Sequence, residues 1–345
     1  PKLLVLDNAD NQEDYETHFQ YLHKFQETHL LVTSRNNELY QTQGHRLPAL
    51  EKKSALELFR VHYPDLKQEE ESLFWTIYEA IDGNTLVLEV LAKNLKEANP
   101  VGTNYTLQHL SNDLLGHKLL RLKTSAQVKV DWKNHPKAKP ENIIAAMYDI
   151  SPLSEQEKRV LSHLAVLPPE HIVYEVLKTL IPLEDKELGL ALRDLVRKGW
   201  LLQDPLKQTF KISPVVQEVV RHKNPKLLED CTPMLEAFNQ VLATEGQHLV
   251  NEYETARLYA ALARSVIFAF DQANRSLIVL CQQLGNFHTI TGDLGQALQA
   301  YQQQEALAQQ QRDINPKDSD AKNNLAISYS KLGQTHTALG DLKQA

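Results

Sequence analysis

The residues best placed to do chemistry are an acid and an arginine that each follow a short apolar run. Leu3-Leu4-Val5-Leu6 leads into Asp7-Asn8-Ala9-Asp10-Asn11, and Leu30-Leu31-Val32 leads into Thr33-Ser34-Arg35. A carboxylate directly after a buried strand suits a hard cation, and a guanidinium beside it suits a phosphate. Taken singly, Asp7 and Asn8 also fit a turn cap and Arg35 a solvated loop; the pair at this spacing points to a site. Other chemistries find no pattern. The 14 histidines include no HExxH and have no cysteine partner, so no transition-metal centre is expected. There is no GxSxG elbow and no phosphate-cradling GxxxxGK[ST] loop.

For the pair to act together, the backbone must bring it together. Both apolar runs are short and continuous, which predicts strands buried on both faces, as in a parallel sheet. Between them, Tyr15, Phe19, Leu22 and Phe25 recur at helical steps, predicting an amphipathic helix over 13–26. Strand, helix and strand make a right-handed βαβ unit. Its parallel strands end on one edge of the sheet, the edge where open α/β sheets take ligands.

Further along, helical patterns cover 51–63, 68–81, 86–98 and 105–120, punctuated by Pro64, Gly83 and Pro100. The stretch from Leu122 to Pro140 carries Lys123, Lys129, Lys133, Lys137 and Lys139 and two prolines, and reads as an exposed, solvated linker. Ser154 and Glu157 have the spacing of a capping box, opening a helix that runs to about Leu164. Helices follow over 172–180 and 185–198, the last closed by Gly199. Trp200-Leu201-Leu202 and Thr209-Phe210-Lys211-Ile212 flank a turn at Asp204-Pro205-Leu206-Lys207, a hairpin wing. Helices followed by a hairpin predict a winged helix. Its third helix holds Lys186, Arg193, Arg197 and Lys198 against Asp185, Glu187 and Asp194, a net charge of only +1. That is poor for a DNA phosphate surface.

The carboxyl-terminal part repeats itself. Residues 284–297 return at 332–345, a shift of 48, with nine of 14 positions identical. Each copy carries Leu-Gly, Gly-Asp and Ala at spacings that resemble the tetratricopeptide repeat. Because the period exceeds ~34 residues, the second helix, over 298–312, is expected to be long. His288 and His336 recur at equivalent positions and are assigned to packing. Residues 225–275 read as helical, with Leu235, Phe238, Val241 and Leu242 on one stripe.

Leu3 to Asn8 resembles the Walker B strand, and Leu30 to Arg35 the sensor strand, of NB-ARC-type STAND NTPases. Leu47-Pro48-Ala49-Leu50 and its following helix are similar to that family's next segment, and Gly83-Asn84-Thr85-Leu86 stands where the family has Gly-x-Pro-Leu. The resemblance covers the chain to about residue 222. It implies that Asp7 holds Mg²⁺ through water, that Thr33, Ser34 and Arg35 face the nucleotide with Arg35 on the γ-phosphate, and that Thr85 lies near the base. It also implies that Ser213, in place of the Met-His-Asp histidine, faces the β-phosphate of ADP. Asn8 stands in the usual acid position, so no catalytic residue is assigned and hydrolysis is expected to be slow.

The expected fold is therefore multidomain and mainly α. It comprises part of a parallel α/β NTPase sheet (1–50), a helical domain (51–122), a linker (123–140), a winged helix (141–224), a helical bridge (225–275) and a tetratricopeptide α-solenoid (276–345). The opening directly into a strand and the stop within a helical pattern lead us to expect a fragment, with the P-loop before it and more repeats after it. The implied cofactors are ATP or ADP and Mg²⁺. The implied partners are a protein or peptide on the repeat arm and further copies of the chain on activation. Two alternatives stay open: a winged-helix transcriptional regulator, and a repeat adaptor whose NTPase part has decayed.

Composition narrows the setting. The 345 residues carry a net charge of -7, with 42% hydrophobic and 23% charged residues, a balance of folded protein that argues against a general nucleic-acid binder. Two distant cysteines, Cys231 and Cys281, make no disulfide framework and fit a reducing, cytoplasmic setting. No apolar run reaches the roughly 20 residues that span a bilayer.

Overall fold

The computed structural model describes residues 2–7, 9–10, 12–22, 28–36, 39, 42–45, 47–98, 105–116, 118–130, 136–243 and 253–341. It is mainly helical, with a two-stranded parallel sheet and a three-stranded antiparallel one. The chain divides into two compact units. One is Pro1–Lys158, Pro169–Val173 and Gly189–Lys223; the other is Arg159–Pro168, Tyr174–Leu188 and Asn224–Ala345.

The first unit begins with β1 (Lys2–Leu6), α1 (Gln12–Leu22) and β2 (Thr28–Val32). The strands pair in parallel with Leu4 opposite Leu30 and Leu6 opposite Val32. Tyr15 and Phe19 of α1, with Leu39, pack on Leu6, Ala9, Leu30 and Val32. Burial on both faces, expected from the continuous apolar runs, does not hold. Leu3, Val5 and Leu31 are 64%, 51% and 52% exposed. Side chains alternate along a strand, and α1 covers only the face that Leu6, Leu30 and Val32 share.

Next come α2 (Lys52–His62), a 3₁₀ turn (Gln68–Glu70), α3 (Glu71–Ala80), α4 (Thr85–Ala98), α5 (Leu107–Leu115) and α6 (Pro140–Met147). Their apolar stripes close on a core that includes Phe59, Phe74, Ile77, Leu91, Leu95, Leu110 and Ile143. The break between α3 and α4 is made by Asp82 and Gly83, with φ of 51° and 66°. A Cβ at Gly83 would collide with the Tyr78 ring, so glycine is required both for the turn and for the close approach.

The lysine-rich stretch departs from the expected solvated linker. Val128 and Val130 are 1% and 2% exposed within the same core. Val128 forms an antiparallel bridge with Ala138. Buried Asn94 donates to Thr124 O (3.0 Å) and accepts from Ala126 N (2.7 Å). Two apolar residues at alternate positions are enough to seat this part of the chain while Lys123, Lys129, Lys137 and Lys139 stay exposed.

α7 (Glu155–Val166) starts with the expected capping box: Ser154 N donates to Glu157 Oε2 (2.6 Å) and Glu157 N to Ser154 Oγ (3.2 Å). Then follow β3 (Ile172–Val173), α8 (Tyr174–Leu180), α9 (Asp185–Arg197), β4 (Leu201–Asp204), β5 (Thr209–Ile212) and α10 (Pro214–Lys223). The sheet order is β3-β5-β4. The hairpin lies where its turn chemistry placed it. β3 was read as the start of a helix, because two residues carry no periodicity; pairing of Ile172 with Phe210 defines it. Gly199, at φ 74°, ends α9, with Trp200 N bonded to Leu195 O (2.8 Å).

The second unit contains α11 (Leu227–Leu242), α12 (Tyr253–Ile267), α13 (Arg275–Ile290), α14 (Leu294–Ile314) and α15 (Ser319–Ala338). The long helix expected over 298–312 is α14, of 21 residues. The internal repeat is visible in the backbone. After α13, Gly292 has φ 82°, and Asp293 N bonds His288 O at 2.9 Å. After α15, Gly340 has φ 79°, and Asp341 N bonds His336 O at 2.9 Å. Between α13 and α14, a Cβ on Gly285 would lie 2.3 Å from the Tyr301 ring, so the missing side chain is what lets the ring in. Tyr301 OH donates to Asn286 Oδ1 (3.0 Å). Cys231 and Cys281 are buried free thiols, and burial pushes both pKa values up.

Candidate functional site

Two backbone bonds bring the loops after β1 and β2 together. Thr33 N donates to Leu6 O (2.9 Å), and Ala9 N donates to Thr33 O (2.8 Å). On this frame the side chains interlock. Thr33 Oγ1 donates to Asp7 Oδ1 (2.5 Å), and Ser34 Oγ donates to Ala9 O (2.8 Å). Asp10 receives Arg35 twice, from the backbone N (2.8 Å) and from Nε (2.9 Å), and forms an ion pair with its other nitrogen (2.7 Å). A further Arg35 nitrogen donates to Met147 O (3.0 Å). Asp7, Thr33, Ser34 and Arg35, singled out in the sequence, thus form one cluster. Asp10, which the sequence did not single out as a site residue, is what orients the arginine. Asn8 lies outside the described residues.

The cluster meets two other segments of its unit. A Cβ at Gly199 would lie 2.6 Å from Arg35 O, so the turn after α9 touches the arginine's backbone. Tyr148 is partly buried, and desolvation raises its phenol pKa, while the field of Arg35 and a hydrogen bond with Asn84 partly offset that. Its ring lies 5.7 Å from that of Trp200. Lys223 Nζ donates to Tyr148 O (2.6 Å), and Lys211 Nζ donates to both oxygens of Asp82 at 2.9 Å. None of these contacts could be found from local pattern, since each joins segments distant in sequence.

Thr85 and Ser213 stand apart from the cluster. Thr85 begins α4, and it is its neighbour Asn84 that reaches Tyr148; Asn84 Oδ1 also accepts from Val87 N (3.1 Å). Ser213 Oγ accepts from Val216 N (3.3 Å), capping α10. Neither forms a hydrogen bond to Asp7, Thr33, Ser34 or Arg35 among the described residues.

The arrangement suits an anion and a hydrated cation. Asp7 is exposed, and only one of its oxygens is engaged by Thr33. Arg35 carries five N–H donors, of which its side-chain contacts leave some available for a phosphate oxygen. Among the described residues no group of three or more His, Cys, Asp or Glu could hold a metal. A cation at Asp7 would therefore take its other ligands from water or phosphate, as Mg²⁺ does.

Comparison with protein-family models gives no match, and comparison with curated proteins gives none either. Among solved structures, the chain is similar to a signal transduction ATPase with numerous domains (STAND) protein with a tetratricopeptide repeat sensor from Pyrococcus horikoshii. The identity is 16%, the match covers 99% of this chain and 47% of that one, and the TM-score is 0.23. The chain thus spans about half the length of that protein. So distant a superposition carries no argument. Among the described residues, no helix is long and apolar enough to cross a membrane.

Proposed function

We propose that the chain works in an ATP/ADP-dependent signal-transduction switch of NB-ARC-type STAND architecture. The observation that supports this best is the single cluster of Asp7, Thr33, Ser34 and Arg35 at the carboxyl edge of β1 and β2, held by Asp10 and touched by the turn after α9. In this reading Asp7 and Thr33 hold hydrated Mg²⁺ and Arg35 faces the γ-phosphate. When bound, the nucleotide supplies the charge difference between two states, and the chain's residues detect it. Arg35 can exchange part of its hold on Asp10 or Met147 O for phosphate, and Gly199 lies against its backbone. The module from α7 to α10 is then a winged helix acting as a latch, α13 to α15 belong to a tetratricopeptide arm that senses a protein or peptide, and activated copies assemble.

Cations at the end of α9 and just after it favour the latch over a DNA reader. Arg197 is ion-paired with Asp194 (3.4 Å), and Lys198 with Glu157 (2.6 Å). Tight, salt-sensitive duplex binding that is lost in an Arg193→Glu/Arg197→Glu variant would instead support the transcriptional reading.

Since the sequence holds no GxxxxGK[ST] loop, this chain alone should bind ADP only weakly. In the full-length protein, Arg35→Ala should reduce the ATP/ADP affinity ratio at least several-fold, and Asp7→Ala should remove the Mg²⁺ dependence of binding. Calorimetry with both nucleotides, with and without Mg²⁺, decides it: an unchanged ratio in Arg35→Ala overturns the assignment.

A further inference from the structure

Four residues of the lysine-rich stretch that looked like a solvated linker, Gln127, Val128, Lys129 and Lys137, form one wall of a pocket. Because Val128 and Val130 are buried and Val128 bridges Ala138, the antiparallel register holds Lys129 and Lys137 opposite each other, one residue from that bridge. They line a cavity of about 190 Å³ together with Gln127, His62 of α2, and Lys93, Lys96 and Glu97 of α4. Lys93 Nζ donates to Lys129 O (2.8 Å), which ties the wall to α4, and it is ion-paired with Glu89 (2.5 Å). The lining thus counts four lysines against Glu97 and the Glu89 paired with Lys93, a surplus of two positive charges in a chain whose net charge is -7. Lys96, Lys129 and Lys137 have no ion pair among the described residues. The basic environment registers on His62, whose pKa is lowered by burial and by Lys93 and Lys96, partly offset by Glu89.

We infer that this pocket, lined by α2, α4, Gln127–Lys129 and Lys137, binds a compact polyanion of the diphosphate class. Three features select that chemistry. The cations are all lysines, point charges that suit tetrahedral phosphate, with no arginine fork for planar carboxylate recognition. A doubly or triply charged group matches the surplus charge better than a single carboxylate. The volume is below the ~300–1,000 Å³ of pockets that take a drug-sized ligand, so a diphosphate fits and a buried nucleoside does not. The site is separate from the Asp7–Arg35 cluster and independent of its proposed role, and it gives the chain a means of responding to soluble phosphate esters through their diphosphate.

The test is titration of the chain with inorganic pyrophosphate at low salt, followed by calorimetry and by the His62 imidazole NMR signal. Saturable one-to-one binding that shifts His62 is expected. Lys129→Gln/Lys137→Gln should weaken it at least tenfold while leaving the circular dichroism and melting temperature unchanged; both side chains are exposed, so the fold should survive. Glu97→Gln should tighten it. ADP competing with pyrophosphate would identify a nucleotide's diphosphate as a source, and failure of ADP to compete would restrict the site to the free anion. Absence of saturable pyrophosphate binding overturns the inference. So does binding that survives the double lysine variant but is lost in Arg35→Ala, which would place the anion at the strand edge. Preference for a duplex over pyrophosphate, with an affinity that falls steeply as salt rises because many counterions are released, would make the patch a nucleic-acid surface and would equally overturn it.

Discussion

At the strand edge, Thr33 meets Asp7 across 26 residues and Arg35 meets Asp10 across 25. In the repeat, Gly292 and Gly340 turn the chain through bonds that reach back only to His288 and His336. The first arrangement exists only while β1 and β2 keep their register. The second is written locally and therefore appears twice. The strand edge is also charged and exposed, whereas the contact between α13 and α14 is an apolar ring seated where a side chain is missing. The difference predicts where mutations will cost stability and where they will change ligand response.

The largest effect should come from the ring. Tyr301→Ala removes a buried aromatic and should destabilise the second unit by about 4 kcal/mol. Gly285→Ala, which overpacks the same contact, should cost about 2 kcal/mol. Gly295→Ala meets only the Asp293 carboxylate, 3.8 Å away, and should gain about 0.5 kcal/mol from helix propensity. Denaturant unfolding of the three variants checks the order; equal effects at Gly285 and Gly295 would mean that the ring is not seated as described. Next in size is Gly199→Ala, at φ 74° with Arg35 O in the way, for about 2 kcal/mol in the first unit. That substitution also bears on the strand edge, because it should disturb Arg35.

The two repeated turns offer a matched pair. Gly292→Ala and Gly340→Ala each place a side chain at positive φ with nothing crowding it, so each should cost about 1 kcal/mol. Thermal shifts that differ widely between them would show that the copies are not equivalent. Smallest in stability is Asp10→Asn. The Arg35 side chain is 41% exposed, and such a pair contributes under about 1 kcal/mol. Its expected signature is functional: a changed ATP/ADP ratio in the full-length protein with almost no change in melting. A large melting shift would make the pair structural.

What could be seen in the sequence follows the same division. The capping box at Ser154, the stop at Gly199, the hairpin turn and the 48-residue repeat are local signals, and the backbone bonds reproduce them. The pairing of Asp10 with Arg35 needed the strand register, and the seating of Val128 and Val130 needed a bridge to Ala138, so neither had a local mark. Ser213 carries two marks: motif position assigns it to a phosphate, and in the structure its hydroxyl at a helix start accepts from Val216 N as a cap.

The uncovered face of β1 and β2 has a practical consequence for handling the protein. Leu3, Val5 and Leu31 present a wet hydrocarbon surface next to backbone able to pair further strands. A net charge of -7 keeps copies apart at low ionic strength. Added salt shortens that repulsion to about 8 Å at physiological strength while leaving the hydrocarbon attraction intact. Concentrated solutions of this chain should therefore be clear in dilute buffer and turn cloudy as salt rises, the reverse of the salting-in usually sought during purification.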